Sequence, residues 1–285
     1  MRTGVSVIGA AILLVAGPAA AGEISKAPNA SAPDYATWQT IGHIELGAGA
    51  AAYNGFGSET WGRLRGAARA DVRLHDDWNV EVELGGDAYT YLSSSGPVGY
   101  SASSLASYGH LWKMMSWGAV GAFGGMSFGT QGALTTATAG LEGETYIGDA
   151  TLGAQASFNR ILTDSFGTDF WQGRAYGAYY FNPNSKIAGE VEAVSIEAGT
   201  TLTAASTLFS ATGSMEHRFA GTPFSGWASA SYQTTSSGIT STNMTTGLVG
   251  FRMFFDAPGS TLRDHDRQVP FKYSPQFLLL IPTVT

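Results

Sequence analysis

The stretch Arg63-Leu64-Arg65-Gly66-Ala67-Ala68-Arg69-Ala70-Asp71-Val72-Arg73-Leu74 carries a charge at nearly every second position. Leu64, Gly66, Ala68, Ala70, Val72 and Leu74 share one parity, and Arg63, Arg65, Arg69, Asp71 and Arg73 share the other. A period of two belongs to a strand, whose successive side chains point to opposite faces. Wound as a helix, the same charges would spread around the circumference and leave no apolar face. The stretch therefore predicts a strand with one apolar and one ionic side.

The pattern continues outward from there. After His75-Asp76-Asp77, Val80, Val82 and Leu84 alternate with Glu81, Glu83 and Asp87. If Leu74 pairs with Trp78, Arg69 stands opposite Glu83 and Arg65 opposite Asp87. Leu152, Ala154, Ala156 and Phe158 oppose Gln155, Ser157 and Asn159. Near the end, Val249, Phe251, Met253 and Phe255 oppose Arg252. Twelve strands are predicted, at 41–53, 59–74, 78–92, 102–112, 117–128, 133–147, 150–160, 170–181, 186–197, 207–219, 224–234 and 242–255. The fourth, fifth and ninth alternate least regularly. Each is long enough to cross a bilayer, which takes about 9–11 residues at the usual tilt.

Composition explains what the apolar faces meet. Only 13% of residues are charged, roughly half the ~25% of a soluble domain. There are 38 glycines, 12% aromatics and no cysteine. A closed barrel needs no disulfide, because every strand finds partners on both sides. The expected fold is an all-β, transmembrane, antiparallel up-and-down barrel of about twelve strands. Lipid rather than water covers its outside. A soluble β-protein with the aromatics in its core is the competing reading.

The chain begins like an exported protein. Arg2 is followed by the uncharged apolar run Val5 to Val15, by Gly17-Pro18, and by the small residues Ala19-Ala20-Ala21. The run is well short of the ~20 residues of a spanning helix. Residues 1–21 are expected to be a cleaved signal peptide, 22–40 a periplasmic lead-in or lumen plug, 41–256 the barrel and 257–285 a periplasmic tail. The formal charge of −7 becomes −8 once Arg2 is removed, which argues against a nucleic-acid partner.

Joint lengths set the sidedness. The joints after strands two, four, six, eight and ten are short: His75-Asp76-Asp77, Lys113 to Ser116, Gly148-Asp149, Asn182 to Ser185 and Ala220 to Pro223. Most of the others are longer, such as Ser93 to Ser101, Ile161 to Asp169 and Ala198 to Ser206. Short periplasmic turns and long extracellular loops mark bacterial barrels. The alternation fits twelve strands better than eleven or thirteen and leaves ten and fourteen open. Trp61, Tyr89, Tyr91, Trp112, Trp117, Trp171, Tyr179, Tyr180, Phe181, Phe254 and Phe255 lie near strand ends and are expected to form interfacial girdles.

His110-Leu111-Trp112, Gly118-Ala119-Val120-Gly121-Ala122-Phe123-Gly124 and Gly140-Leu141-Glu142-Gly143-Glu144-Thr145-Tyr146-Ile147-Gly148 carry a family resemblance. Thr151-Leu152-Gly153, Gly250-Phe251-Arg252-Met253-Phe254-Phe255 and Leu262-Arg263-Asp264-His265-Asp266-Arg267 extend it. In these, over roughly residues 41 to 268, the chain resembles the uncharacterised, porin-like outer-membrane β-barrel proteins of alphaproteobacteria. The resemblance implies an architecture and a location in the outer membrane of a Gram-negative bacterium, not a chemistry. Many such barrels end on an aromatic that the insertion machinery reads; here Phe255 takes that place and a tail of about thirty residues follows.

No catalytic, cofactor or metal site is expected. His43, His75, His110, His217 and His265 all fall at or near the predicted periplasmic end, so a histidine base for an outer-leaflet hydrolase is missing. The histidines stand apart in sequence, without metal-ligand spacing. Gly85-Gly86 and Gly124-Gly125 lie inside strands and read as bends or close contacts. The informative set is the inward charge, expected to line a pore: Arg63, Arg65, Arg69, Asp71, Arg73, Glu81, Glu83, Asp87, Glu142, Glu144, Arg174, Glu190, Glu192 and Arg252, with Glu45, Glu216 and Arg218 beside them. Opposed charge rows give a narrow pore its selectivity; alternatively they pair across a filled lumen. Twelve strands lie between the packed eight and the open sixteen. The expected function is a narrow, monomeric, passive pore for small polar or ionic solutes. Its expected partners are outer-membrane lipid, lipopolysaccharide and the insertion machinery. An envelope-organising barrel with a blocked lumen and a lipid-modifying enzyme are the alternatives.

Overall fold

The computed structural model describes residues 40–54, 58–74, 77–92, 101–129, 135–162, 167–196, 205–237, 240–257 and 259–270. The expected signal peptide and lead-in before Thr40, His75 and the Phe277 to Ile281 run of the tail lie outside them.

Twelve antiparallel strands close into one barrel. They are β1 (Thr40–Asn54), β2 (Ser58–Arg73), β3 (Trp78–Tyr91), β4 (Ser101–Met115), β5 (Gly118–Gly129) and β6 (Thr135–Ile147), then β7 (Ala150–Leu162), β8 (Gly167–Asn182), β9 (Ser185–Ile196), β10 (Ser206–Arg218), β11 (Phe224–Ser237) and β12 (Thr240–Phe255). Each strand pairs with its neighbours in sequence, and β1 pairs with β12 through Glu45 opposite Arg252 and Leu46 opposite Phe251. Closure leaves no strand edge unpaired, so the backbone is satisfied without water. The predicted register between β2 and β3 is the one observed: Arg69 faces Glu83, Arg65 faces Asp87, and the Leu74 N–H donates to the Trp78 carbonyl at 2.8 Å.

The barrel is built inside out relative to a soluble protein. Leu141 is 69% and Phe251 67% exposed on the outer wall, whereas Glu81 is 0% and Arg63 2% exposed on the inner wall. Period-two alternation delivers both faces from one strand, and the apolar outside is stable only against hydrocarbon. Tight turns close one end. At Gly148-Asp149 a two-residue loop joins Ile147 to Ala150, its first residue at φ 57, a value that favours glycine.

Three expectations need correction. β4 runs on to Met115, so Lys113, Met114 and Met115 belong to the strand and the joint shrinks to Ser116-Trp117. β8 begins at Gly167 and β11 continues to Ser237, where Ser236 and Ser237 pair with Ser241 and Thr240. These polar extensions lack the apolar alternation that marks the lipid-covered part. The aromatic girdle is half as populated as expected. Trp171, Tyr179, Phe181, Trp117 and Phe255 are exposed, but Tyr89, Trp112, Tyr180 and Phe254 are buried in the lumen. Their parity, not their nearness to a strand end, decides the side.

Beyond β12 the chain forms a short helix, α1 (Leu262–Gln268). Thr261 caps it: its hydroxyl accepts from the Asp264 N–H, and the Asp264 carboxylate accepts from the Thr261 N–H.

Candidate functional site

All fourteen residues expected to line a pore alternate to the inside of the wall, as do Glu45, Glu216 and Arg218. The β2–β3 ladder is a set of ion pairs. Arg63 Nε reaches Asp87 Oδ1 at 2.8 Å, and Arg69 Nη2 reaches Glu83 Oε2 at 3.1 Å with Nη1 3.6 Å from Glu81. Register and partner need not agree: Arg63 stands opposite Tyr89 but bonds Asp87, and Arg65 stands opposite Asp87 but lies 3.6 Å from Glu45, on β1. Long arginines reach diagonally, so Cα opposition does not fix the pair. Arg73 pairs with Asp77 at the short-turn mouth, and Asp71 accepts from Trp112 Nε1 at 2.9 Å.

The opposite wall holds a second network. Arg252 donates to Glu45 at 2.6 Å and to both oxygens of Glu216, at 2.9 and 2.8 Å. Glu216 also accepts from Ser225 and lies 3.2 Å from Lys186 Nζ. Arg174 donates to Glu190 at 2.5 Å and to Gln155, which itself donates to Glu142. Glu192, opposite Arg174 in the register, is buried beside it. Tyr176 donates to Glu144 at 2.8 Å. Its ring covers Gly153, where a Cβ would come within 2.2 Å of the ring; that glycine is what lets the tyrosine lie flat and reach Glu144.

α1 crosses the short-turn mouth. It leaves β12 and touches the β8–β9 turn and, about half the circumference away, the β6–β7 turn. The Leu262 N–H donates to Asn184 Oδ1, and the Arg263 N–H donates to the Pro183 carbonyl at 3.0 Å. Arg263 pairs with Asp149, and Arg267 donates to the Gly148 carbonyl and lies over the Tyr146 ring. Asp266 accepts from Tyr180 Oη at 2.6 Å and from Lys186 Nζ at 2.5 Å. Leu262, fully buried, packs with Tyr180 and Phe254.

His265 is the inward pin of the helix. Its Nδ1 is 3.1 Å from Asp256 Oδ2 and its Nε2 is 3.0 Å from His43 Nδ1. Asp256 also takes two bonds from Arg218, at 2.7 and 2.9 Å. Burial pushes His265 below the ordinary histidine range, and its acidic neighbours offset this only in part. Burial acts to raise Asp256, but the bonds from His265 and Arg218 outweigh it and hold the carboxyl below its usual value. A neutral His265 satisfies both contacts: Nδ1–H donates to Asp256 while Nε2 accepts from His43.

Above the helix lies a chamber of about 200 Å³, lined among others by Glu45, Arg65, Glu83, Arg174, Glu190 and Asp266. The long-loop half of the lumen is different. There Ile161, Phe170, Val194, Ile196 and Leu208 form one apolar cluster, and Ala51, Tyr89, Ala102 and Met244 another. On the outer wall, Ser185 Oγ lies 2.7 Å from His217 Nδ1, but among the described residues no carboxylate orients that imidazole. The charged lumen was legible from parity. The closing helix was not foreseen, although Thr261 and Asp264 stand in capping-box spacing before a charged run. His43, Tyr180, Lys186 and Asp256, which receive the helix, give no signal until the tail is placed.

No protein-family model and no curated protein matches the chain. Solved structures do. An outer-membrane channel from Pseudomonas putida F1 is 11% identical and superposes over 77% of this chain and 96% of that one, with a TM-score of 0.57. The translocator domain of the autotransporter NalP from Neisseria meningitidis is 13% identical over 78% of this chain and 90% of its own, with a TM-score of 0.47. The KdgM porin is 11% identical over 75% and 99%, with a TM-score of 0.44. The channel superposition joins the closed topology and the inverted burial in one conclusion: the chain has the fold of the outer-membrane β-barrels.

Proposed function

We propose that the protein is a narrow passive channel for small polar or ionic solutes in the outer membrane of a Gram-negative bacterium, closed at its periplasmic mouth by α1. The observation that carries this is the seal itself. Side chains of a separate segment cross the mouth and hydrogen-bond to lumen residues that would otherwise face the chamber. Most of those contacts are polar, with Leu262 as the one leucine inserted, so water can replace them when the helix leaves. Residues 1–21 act as an export signal, and the short turns face the periplasm. The barrel works as a monomer in lipid and lipopolysaccharide, delivered by the insertion machinery. The resemblance to porin-like alphaproteobacterial barrels agrees with this reading. No catalytic role is assigned.

Glu45, Arg65 and Glu190 face the chamber while still partly exposed, so they set the charge a solute meets. The test is single-channel recording in planar bilayers on the mature chain and on a variant lacking residues 259–285. The reading predicts a mostly silent full-length protein and discrete, ion-selective steps from the truncated one. A second reading, a structural barrel with a filled lumen, is favoured by the fully hydrogen-bonded Arg252–Glu216–Glu45 network. Silence from a folded, truncated barrel would select it.

A further inference from the structure

We infer that the β3–β4 wall holds a divalent-metal site made of Glu81, Glu83 and His110, suited to a cation of the zinc class. One ligand atom from each lies within 4.8 Å of the others, and all three residues are buried. The site arises from register. Glu81 stands directly opposite His110 on the adjacent strand, and Glu83 is two residues along on the same face.

Three atoms at its centre have no hydrogen-bond partner among the described residues. Glu81 is fully buried, yet neither of its oxygens accepts a hydrogen bond; an ion pair with Arg69 at 3.6 Å is its contact with positive charge. His110 Nε2 is also unbonded, and lies 3.8 Å from Glu83 Oε2. An unmet buried carboxylate costs more than any neutral group. Asp71 stands opposite Glu81 on the other side, adding like charge that a bound cation would relieve.

The imidazole is held as a metal ligand is held. Its Nδ1 sits 2.9 Å from Glu142, which also accepts from Gln155, and the ring stacks on Phe123. With Nδ1–H donated to Glu142, the Nε2 lone pair points at Glu81 and Glu83. A carboxylate behind a ligating histidine fixes its tautomer and strengthens it as a donor. Two carboxylates and one imidazole favour zinc-class ions over calcium, which takes oxygen ligands. Ligands of a tetrahedral ion lie about 3.3 Å apart for bonds of ~2.0–2.1 Å, so small side-chain rotations close the observed spacing. Glu83 lines the 200 Å³ chamber, which gives the ion an entry path and leaves a ligand position for water.

Arg69 is the competitor, since it bonds Glu83 and faces Glu81. This separates the proposal from the alternative that Arg69 and a protonated His110 are themselves the cluster's cations. The experiment is metal uptake by the refolded mature barrel, with Zn2+ in equilibrium dialysis and Co2+ absorption as a report of imidazole ligation. Heat-modifiable gel mobility confirms folding. One equivalent per barrel is expected. Affinity should fall at least about tenfold in Glu142→Gln and further in Glu81→Gln and His110→Gln. It should rise in Arg69→Gln and stay unchanged in His217→Ala, on the outer wall. Absence of stoichiometric uptake by the folded wild-type barrel would overturn the site. So would uptake that Glu81→Gln and His110→Gln leave intact. Neither result depends on whether the barrel conducts.

Discussion

The two charged walls of the lumen are made of the same residue types and behave differently. On the β9–β12 side, Arg252, Lys186, Arg218, Glu216 and Asp256 each meet opposite charge within hydrogen-bond distance or nearly so, and α1 completes the set through Asp266 and His265. On the β2–β4 side, Glu81 and His110 Nε2 are as deeply buried but carry no hydrogen bond. A satisfied network rigidifies, while an unsatisfied one is held in place by its surroundings for some other partner. The first wall reads as the frame of a seal and the second as a site.

Substitutions should separate the walls most sharply in stability. Arg252→Ala removes the shortest ionic partner of Glu45 and of Glu216 at once, leaving Arg65 at 3.6 Å and Lys186 at 3.2 Å, and breaking a buried pair from one side costs about 3–5 kcal/mol. Glu81→Gln in metal-free protein removes a charge with no hydrogen bond, so it should be near neutral or stabilising. Urea midpoints of the refolded barrels measure both. Equal losses in the two variants would erase the distinction between the walls.

The outer wall gives the next effect. Leu141→Arg, midway along β6 and facing outward, should cost about 2–4 kcal/mol in bilayers. Its lumen-facing neighbour Glu142 should tolerate Gln at smaller cost. A soluble core would show the reverse order, with the exposed position tolerant.

Acid should loosen the seal before it unfolds the barrel. His265 is held below its ordinary range when docked, so the undocked helix binds more protons as pH falls. Docking is therefore strongest above the ordinary histidine pKa of about 6.5 and weakens below it. Protonation also leaves His265 Nε2 facing His43 donor to donor. Asp256, held low by His265 and Arg218, loses its own contribution only at still lower pH. Amide exchange of α1 as a function of pH should rise through this window in the wild type and be high and flat in His265→Ala. Pivotless behaviour, with exchange independent of pH in the wild type, would remove His265 from the seal. The smallest expected effect is Arg65→Ala, which should shift the selectivity of an opened pore toward cations with little change in stability.

Parity made most of the barrel legible. The charge at every second residue from Arg63 to Arg73 placed β2, and the Leu74–Trp78 joint fixed its register with β3. Period two is imposed locally, so it survives in sequence. What parity does not contain is contact at a distance. His110 looks solitary because its partners are Glu81 on β3 and Glu142 on β6, brought together only by two registers and a curved wall. Phe254 and Tyr180 looked interfacial from their nearness to strand ends, although their parity turns them inward, beneath a helix that nothing in their neighbourhood announces. Arg65 reached Glu45 rather than Asp87 because a long side chain chooses among several carboxylates within its length.

The central claim is that α1 closes a pore, and a reversible tether tests it most directly. The chain has no cysteine, so Asn184→Cys with Arg263→Cys introduces one pair across the Arg263 N–H to Pro183 carbonyl contact. Currents through single barrels would be recorded below pH 6, oxidised and then reduced. The account predicts silence while the helix is tethered and discrete, ion-selective openings once reductant releases it. Steady conductance through the tethered barrel, or lasting silence after release, would contradict it.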